Sequence, residues 1–423
     1  MRRALVRPLG ILALLLAAAA AARADVVVVD PAGGPGGALL QGAINAAHDG
    51  DILLLRSGDY TDADITVSGK LLSLVADPPG AQATLRRLFV TLPFALGETV
   101  LLRGLGIQAP PVTTTAPGNG LQVMGQIGNT PAVWLEDCTV TASLQDLDGP
   151  GGLPTTASSA IFLGLLSSGV VVRCSGTGAD GHDAVPGDVA TGGGDGLQAI
   201  ISSVAVFEGS FTGGAGGDGL GDGVISTDGG DGAMFVGSSW VVGSTLRGGD
   251  EGADNPASTK PGAGLNLSGH GSLRDADVQA GSVVGLGTAS PPIVMDPLAV
   301  LTTYPAAART LEVPSPLREG QSSTLSLHGV VGDAAWVYVG ADSRLTSVPA
   351  KQGVFLLDAV LPSPVFAGPI TDPGGALQLA FQMPSLPPGM DGSIVFLQAA
   401  MAPAAGGVVT GSGSALLWLD GTL

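Results

Sequence analysis

A short apolar pattern recurs six times in the middle of this chain, and this recurrence constrains the fold more than any other feature. The six copies are LLRGLGI (101–107), LEDCTV (135–140), VVRCSG (171–176), VFEGSF (206–211), VVGSTL (241–246) and LRDADV (273–278). The last residues of the final five copies are spaced 36, 35, 35 and 32 residues apart. Such spacing is typical of one supersecondary unit stacked on copies of itself. The pattern predicts that Val140, Phe211 and Leu246 lie in one column along the long axis.

Each copy belongs to a longer unit that also contains a glycine-rich stretch. Similar segments precede the copies, at GLQV (120–123), AIF (160–162), GLQA (196–199), GAM (232–234) and GLNL (264–267). Glycine-rich stretches follow the copies, at 141–158, 177–194, 212–230 and 247–262. Stacked units would place these stretches together on one flank, where repeat proteins often carry their function.

The composition favours a packed β protein. The chain has 68 glycines and 30 prolines, yet 45 % of its residues are hydrophobic. A disordered chain would be poorer in hydrophobic residues, so we expect a turn-rich folded protein. Aromatic residues make up only 4 % of the chain, so the core must consist mainly of Val, Leu, Ile and Ala.

Residues 1–24 have the features of an export signal. Three arginines lie within the first seven residues, residues 11–22 are Ile, Leu and Ala only, and Ala22-Arg23-Ala24 ends in a small residue. This order is typical of a cleaved signal peptide. We therefore expect a secreted protein that begins at Asp25 and is extracellular or on the cell surface, with the periplasm as the alternative. No later stretch is apolar enough to span a membrane, so we expect no membrane insertion after cleavage.

The net charge excludes several classes of partner. The formal charge is −19, and cleavage of residues 1–24 with their four arginines makes it −23. Nucleic acids and anionic membranes repel such a chain. A polyanionic glycan would bind only if cations bridged it to the protein.

Residues 38–77 carry a family resemblance. The positions concerned are Gly50-Asp51, Gly58, Tyr60 and Gly69-Lys70, which follow an apolar stripe at helical spacing in residues 37–47. This segment resembles the first turns of right-handed parallel β-helix proteins of the pectate-lyase-like superfamily. The resemblance covers about residues 26–290 and implies a helix that caps the first edge of the coil. Family members include lyases, hydrolases, esterases and adhesins, so the resemblance indicates a fold rather than an activity.

The sequence predicts an all-β chain of two domains. We expect a right-handed parallel β-helix with an N-terminal capping helix at residues 25–297. From residue 298 the sequence changes to short segments of alternating apolar and polar residues, separated by Pro and Gly turns. Short strands at this spacing predict an antiparallel β-sandwich at residues 298–423. It is similar to the accessory domains of secreted bacterial proteins, and we expect it to cover the far end of the coil.

Two features of the repeat concern cysteines and charges. Cys138 and Cys174 share one repeat position a unit apart. Neighbouring strands lie about 4.8 Å apart, which permits either a disulfide or a buried stack of reduced thiols.

Charged residues also align between units. Asp137, Arg173 and Glu208 share one turn position, and Arg103 and Glu136 share the position before it. We expect a solvated structural ladder of opposite charges on the outside of the coil. The alternative is an arginine that abstracts a proton or binds a uronate.

The glycine-rich stretches are strongly acidic. Residues 176–264 contain twelve acids and only two basic residues, Arg247 and Lys260. Carboxylates in flexible glycine-rich loops suit Ca²⁺, and the segment 213–220 matches one copy of a calcium-binding nonapeptide pattern. The candidate calcium ligands are Asp180, Asp183, Asp195, Asp218, Asp222 and Asp231. The alternative is a set of soluble acidic loops that need only tight turns.

No recognisable catalytic set is present: the sequence lacks a phosphate loop, a zinc cluster and a nucleophile elbow. We therefore expect a non-catalytic extracellular or cell-surface protein whose acidic loops bind glycans or surfaces. One alternative is a polysaccharide lyase or glycoside hydrolase. The other is a calcium-stabilised structural protein of the envelope.

Overall fold

The protein is mostly β-structure. The computed structural model describes residues 24–93, 98–110, 118–126, 131–143, 157–184, 190–219, 227–253, 259–284, 287–348, 352–358, 364–404 and 406–423. About 50 % of the chain is strand and 4 % is helical. No helix in these ranges is long and apolar enough to cross a membrane.

The first two thirds of the chain form two parallel sheets, which together we call the parallel module (residues 26–304). Its one α-helix among the described residues is α1 (Gly36–Ala46). Its strands are β1 (Val26–Val29), β2 (Ile52–Arg56), β3 (Gly58–Tyr60), β4 (Ile65–Ser68), β5 (Ser73–Asp77), β6 (Ala83–Leu85), β7 (Leu88–Thr91), β8 (Thr99–Arg103), β9 (Leu105–Gln108), β10 (Leu121–Met124), β11 (Ala132–Glu136), β12 (Thr139–Thr141), β13 (Ile161–Gly164), β14 (Ser168–Val172), β15 (Ser175–Thr177), β16 (Leu197–Phe207), β17 (Ser210–Thr212), β18 (Ala233–Val242), β19 (Thr245–Arg247), β20 (Leu265–Arg274), β21 (Asp277–Gln279), β22 (Ile293–Met295) and β23 (Val300–Tyr304).

The larger sheet has fifteen strands and curls back on itself, so that its main path runs β1-β2-β5-β8-β11-β14-β16-β13-β10-β7-β4. The long strands β16, β18 and β20 contribute to both limbs of this path. The smaller sheet has eight strands in the order β21-β19-β17-β15-β12-β9-β6-β3. Every strand pair in both sheets is parallel, an arrangement compatible with a parallel β-helix.

The register confirms the predicted column. Val140 pairs with Ile107 on one side and Gly176 on the other, and the column continues through Phe211 and Leu246. The second repeated set also aligns, because Leu121, Ile161, Leu197, Ala233 and Leu265 are successive partners. Each apolar side chain therefore rests on its equivalents in the units before and after it, and the stack builds one continuous core.

Helix α1 lies against β1, β3 and β4. Strands β1 and β4 are the two ends of the main path of the larger sheet, and β3 is one end of the smaller sheet. Leu40 and Ile44 face the core and are buried. At its N-terminus the Asp62 carboxylate accepts hydrogen bonds from the backbone N–H groups of residues 37 and 38. At its C-terminus the Lys70 ammonium donates to three carbonyl oxygens. Both charges stabilise the helix dipole, which explains the Gly-Lys pair noted in the sequence.

The last third of the chain, residues 310–423, forms what we call the C-terminal module. Its strands are β24 (Thr310–Glu312), β25 (Leu317–Arg318), β26 (Ser322–His328), β27 (Ala334–Gly340), β28 (Ser343–Val348), β29 (Gly353–Leu357), β30 (Phe366–Pro369), β31 (Ala376–Gln382), β32 (Gly392–Ala402) and β33 (Val409–Leu419). A five-stranded sheet, β25-β33-β32-β27-β30, shares a buried core with the three-stranded sheet β24-β26-β31. Strands β28 and β29 form a separate pair.

The parallel sheet extends past the expected boundary at residue 297. Strand β23 ends at residue 304 and pairs with β20 in parallel from His270 to Arg274. The segment that was expected to begin the β-sandwich therefore begins with a strand of the parallel module.

The C-terminal module lies along the side of the parallel module, so the expectation that it covers the far end is wrong. Outward-facing side chains of the parallel module, among them Leu101, Trp134 and Val170, share a buried cluster with Phe396 and Leu417. The rings of Trp134 and Phe396 are 5.1 Å apart between centroids. These outward positions are apolar, and their removal from water favours this lateral contact.

Glu136 forms the polar centre of the contact between modules and is fully buried. Its carboxylate pairs with Arg103 at 3.0 Å and with Arg173. It also accepts hydrogen bonds from the Trp134 indole, the Ser414 hydroxyl and a backbone N–H of β33. The predicted alternation of charge is present, but the prediction of a solvated ladder is wrong because the C-terminal module covers it.

The two arginines join the modules through backbone carbonyls as well. Arg103 donates to the carbonyl oxygens of Val313 and Ala415. Burial disfavours the Arg173 cation, but the carboxylates of Glu136 and Asp137 outweigh burial and raise the pKa of Arg173. Arg173 thus keeps its positive charge inside the interface.

We expect Glu136→Ala to lower the free energy of unfolding by about 3–5 kcal/mol, because it leaves two buried arginines without their shared carboxylate. The measurement is urea denaturation followed by circular dichroism. Asp296→Ala, which removes an exposed acid of the same chain, is the control and should change stability by less than about 0.5 kcal/mol. Equal midpoints for the two variants would contradict the role assigned to Glu136.

Candidate functional site

The glycine-rich stretches form a layer on one flank of the parallel module. We call seven described segments the glycine-rich arms: residues 176–184, 190–196, 212–219, 227–232, 247–253, 259–264 and 279–284. The first six belong to the last three glycine-rich stretches, and the seventh follows the sixth copy of the repeat. Each arm leads away from the sheets or returns to them, and most arm residues are not in strands. The structure therefore brings the described parts of the stretches 177–194, 212–230 and 247–262 together, as the repeat predicted. Most of the stretch 141–158 lies outside the described residues.

Backbone hydrogen bonds run through all seven arms in sequence. Gly194 donates to Ala179 of the preceding arm, and Gly214 donates to Gly194, each at 2.8 Å. The same bond recurs from Gly230 to Gly214 and from Gly249 to Gly230, again at 2.8 Å. Residues 262 and 281 extend the series through the last two arms. The arms are thus held by backbone pairing and form an ordered layer.

Hydrogen bonding in the arms has a period of three residues. In the arm 212–219, residues 213, 216 and 219 donate to the arm 247–253, whereas residues 214 and 217 donate to the arm 190–196. The remaining N–H groups, of Ala215 and Asp218, point in a third direction. Three residues per turn without internal hydrogen bonds is the geometry of a polyproline II helix. The arms therefore pack as a small bundle of such helices.

Close approach of the backbones explains the glycines. None of the glycines in the described arms has a positive φ, so a left-handed turn is not the reason for them. A Cβ atom at Gly214 would overlap the Ala179 carbonyl, and one at Gly230 would overlap the Gly194 carbonyl. Collagen imposes the same requirement on the glycines at its crowded axis. The Gly-Gly-X pattern of 213–219 places the two glycines inside and the third residue outside.

Aspartates at the outer position accept the third set of N–H groups. Asp180 Oδ1 accepts the Ala215 N–H at 2.8 Å, and Asp183 Oδ1 accepts the Asp218 N–H at 2.9 Å. Asp218 in turn accepts the N–H of Ala253 at 2.6 Å. Each carboxylate thus satisfies a backbone donor of the next unit, as an aspartate cap does at a helix end.

A second row of aspartates lies nearer the sheets. Asp195 Oδ1 accepts the Asp231 N–H at 2.9 Å, and Asp231 accepts the N–H of Ala263 and the amide of Asn266, both at 2.8 Å. Burial, followed by the nearby Asp231 carboxylate, raises the pKa of Asp195 to about 7. Burial also raises the pKa of Asp231.

The candidate calcium ligands therefore have a structural role in binding backbone N–H groups. This holds for Asp180, Asp183, Asp195, Asp218 and Asp231, whereas Asp222 lies outside the described residues. Across the part of the chain that the structure describes, no three His, Cys, Asp or Glu side chains come together as a metal site. Calcium binding stays a prediction.

Cys138 and Cys174 are free thiols in the buried core. The structure shows no bond between them, and the disulfide stays a prediction. Their Sγ atoms lie 3.4 Å from the carbonyl oxygens of Glu136 and Val172, respectively. Burial raises the pKa of the Cys174 thiol, and its hydrogen bond with Cys138 adds to the effect, so the Cys174 thiol does not resemble an activated nucleophile.

A polar cleft between the modules is a second candidate site. It has a volume of about 510 Å³, and its lining includes Arg103, Asp137 and Glu312. Glu208 lies in the same charged region, where burial raises its pKa, Ser412 and Arg173 oppose the rise and Glu312 adds to it. Carboxylates that line a polar cleft are candidates for binding or acid–base chemistry. Glu312 was not predicted, because it belongs to the other module and no motif surrounds it.

Left-handed corners aim the charged residues of this region. Asp137, Arg173 and Glu208 each have a φ between 49° and 56°. Each occupies the corner between two consecutive strands of its own unit. Glycines occupy the same corner at Gly104 and Gly243, with φ of 71° and 59°. Non-glycine residues are strained in this region, so the corner is a feature of the stack that places three charges in a row.

The comparisons with known proteins give no relative from which a function can be transferred. No protein-family model matches the chain, and no curated protein matches it. The function must therefore be argued from the two candidate sites.

We expect Gly214→Ala to destabilise the protein by at least about 2 kcal/mol, since the added methyl group would force two backbones apart. The measurement is the melting temperature by calorimetry. The control is Gly42→Ala in α1, where nothing lies within 4 Å of the added Cβ. That variant should gain about 0.5–1 kcal/mol. A Gly214→Ala protein as stable as the wild type would rule out close packing of the arms.

We expect Asp195→Asn to make the protein less sensitive to pH. Since the folded-state pKa of Asp195 is raised to about 7, the wild type binds an extra proton when folded and loses stability as pH rises from about 4 to about 7. The amide keeps the Oδ1 acceptor and has no charge. The variant should match the wild type at pH 4 and exceed it by up to about 4 kcal/mol at pH 8.

The control for this prediction is Asp183→Asn, which removes the same charge from an exposed carboxylate that makes the equivalent hydrogen bond. Urea denaturation at several pH values measures both variants. If the two variants gain equal stability at pH 8, the burial of Asp195 has no part in the effect.

Proposed function

We propose that the chain is an exported right-handed parallel β-helix protein of the pectate-lyase-like type, with a capping helix and a β-sandwich accessory domain, and that it binds a glycan surface. The observation that carries the proposal is the ordered layer of glycine-rich arms. A backbone-bonded layer presents its outer residues at the spacing of the units and loses little conformational entropy when a partner binds.

The chemistry of the layer indicates the partner. Asp180, Asp183 and Asp228 are exposed, and each uses Oδ1 to bind a backbone N–H of the next unit, which leaves the second oxygen of each for a partner. Such a surface attracts cationic groups and repels anionic ones. The proposed partner is a polysaccharide or cell-surface glycan that carries amino groups, or an acidic glycan bridged by Ca²⁺.

The cleft favours one second candidate function, a polysaccharide lyase or glycoside hydrolase. Asp137 and Glu312 line the cleft together with Arg103, and glycoside hydrolysis requires a pair of carboxylates. The charged cleft is the specific support for this alternative. It is weaker than the support for binding because the Asp137 carboxylate is already paired with Arg103 and Arg173.

The test is binding of the purified protein to immobilised neutral, amino-sugar and uronate polysaccharides, with and without Ca²⁺. We expect binding to the amino-sugar polymer, binding to the uronate polymer only with Ca²⁺, and weakening of both by salt. The double variant Asp180→Asn/Asp183→Asn keeps both Oδ1 acceptors and should bind at least about threefold more weakly.

The matched control is Asp372→Asn/Asp391→Asn, which removes two exposed charges from the C-terminal module and should bind as the wild type does. The proposal fails if no polysaccharide binds or if both double variants bind equally. The same samples are assayed for new reducing or unsaturated ends. Release of such ends, with its loss in Glu312→Gln, would favour the enzyme instead.

A further inference from the structure

The C-terminal module contains an apolar cavity between its two sheets. The inner face of the five-stranded sheet is wider than the three-stranded sheet that covers it. Val337 and Val339 of β27 and Leu397 of β32 form its floor, and Leu379 and Phe381 of β31 form part of its roof. The cavity has a volume of about 240 Å³. Unequal sheet widths therefore leave a space at the side of β31 and β30.

The lining is almost wholly apolar. Eleven of the twelve lining residues are hydrophobic, the exception is Gln378, and none is charged. A water molecule in a cavity needs two to four polar partners, and this lining offers few. Water is therefore a poor occupant.

The volume indicates the size of a suitable occupant. Protein interiors are normally packed without voids larger than a water molecule, and a cavity of about 150 Å³ lined by Leu, Ile and Phe stays dry and binds benzene. A larger cavity of the same character accommodates a larger apolar group.

We propose that this cavity binds one small uncharged apolar molecule, about the size of two fused rings or a short alkyl chain. The ligand would complete the core of the module where the three-stranded sheet ends. An ionised molecule would be excluded, because no side chain in the lining would compensate a charge removed from water. This site lies in the C-terminal module and does not depend on the proposed function of the glycine-rich arms.

The test is titration of the purified protein with naphthalene, followed by its fluorescence and by isothermal calorimetry. We expect saturable binding of one molecule per chain and a melting temperature that rises with ligand concentration. Naphthalene-2-carboxylate, which has the same rings and a negative charge, should bind at least about tenfold more weakly.

Two variants fill the cavity, Val339→Phe from the floor and Leu379→Trp from the roof. Each should weaken naphthalene binding at least about tenfold. Val330→Phe, at a valine of the same module that is 46 % exposed, should bind as the wild type does. If one filling variant fails to fold by circular dichroism, the other decides. The proposal is overturned if the wild type shows no saturable binding, if the carboxylate binds equally well, or if a folded filling variant binds as the wild type does.

Discussion

The rest of this structure depends on the in-register stacking of one unit on the next. Each residue lies directly between the equivalent residues of the units before and after it. In the core these equivalents are mostly apolar, as in the column from Val140 to Leu246. On the outside, a charged residue must be compatible with the charges of its equivalents. The corner at Asp137, Arg173 and Glu208 shows the second case. There, Arg173 lies between two acids in the same left-handed position. It forms an ion pair with Asp137 and interacts electrostatically with Glu208.

The same stacking governs the glycine-rich arms, although they are not strands. Their backbones approach too closely for a Cβ atom, so glycine is required at two positions of every three in the arm 212–219. The third position faces outward, and aspartate there binds an N–H of the following unit. The aspartates that make this flank acidic therefore also help to hold its backbone segments in place. The negative charge that the proposed glycan site uses is also part of what holds the arms together.

The interface between the modules combines apolar burial with one demanding polar contact. The outward row that includes Leu101 and Trp134 is apolar because the five-stranded sheet covers it. Glu136 is retained at its centre with five partners, two of them arginines. Such a buried ionic network contributes less to the free energy of unfolding than apolar residues of the same volume would. Removing one of its members is nevertheless strongly destabilising, because the opposite charge is left buried and uncompensated. The polar cleft lies beside this network. Asp137 of the parallel module and Glu312 of the C-terminal module both line it.

The sequence by itself determined the β class, the helix α1, the column through Val140, Phe211 and Leu246, and the common flank of the glycine-rich stretches. These follow from local periodicity, because each unit repeats the same contacts with its neighbour. Only the tertiary structure decided that Glu136 is buried rather than solvated, that the aspartates bind backbone N–H groups, and that the C-terminal module lies along the side. Those features depend on contacts between residues far apart in the chain, such as Glu136 with Ser414. No periodicity records which outward face of a stack will be covered, since that choice is made by packing between modules rather than within a unit.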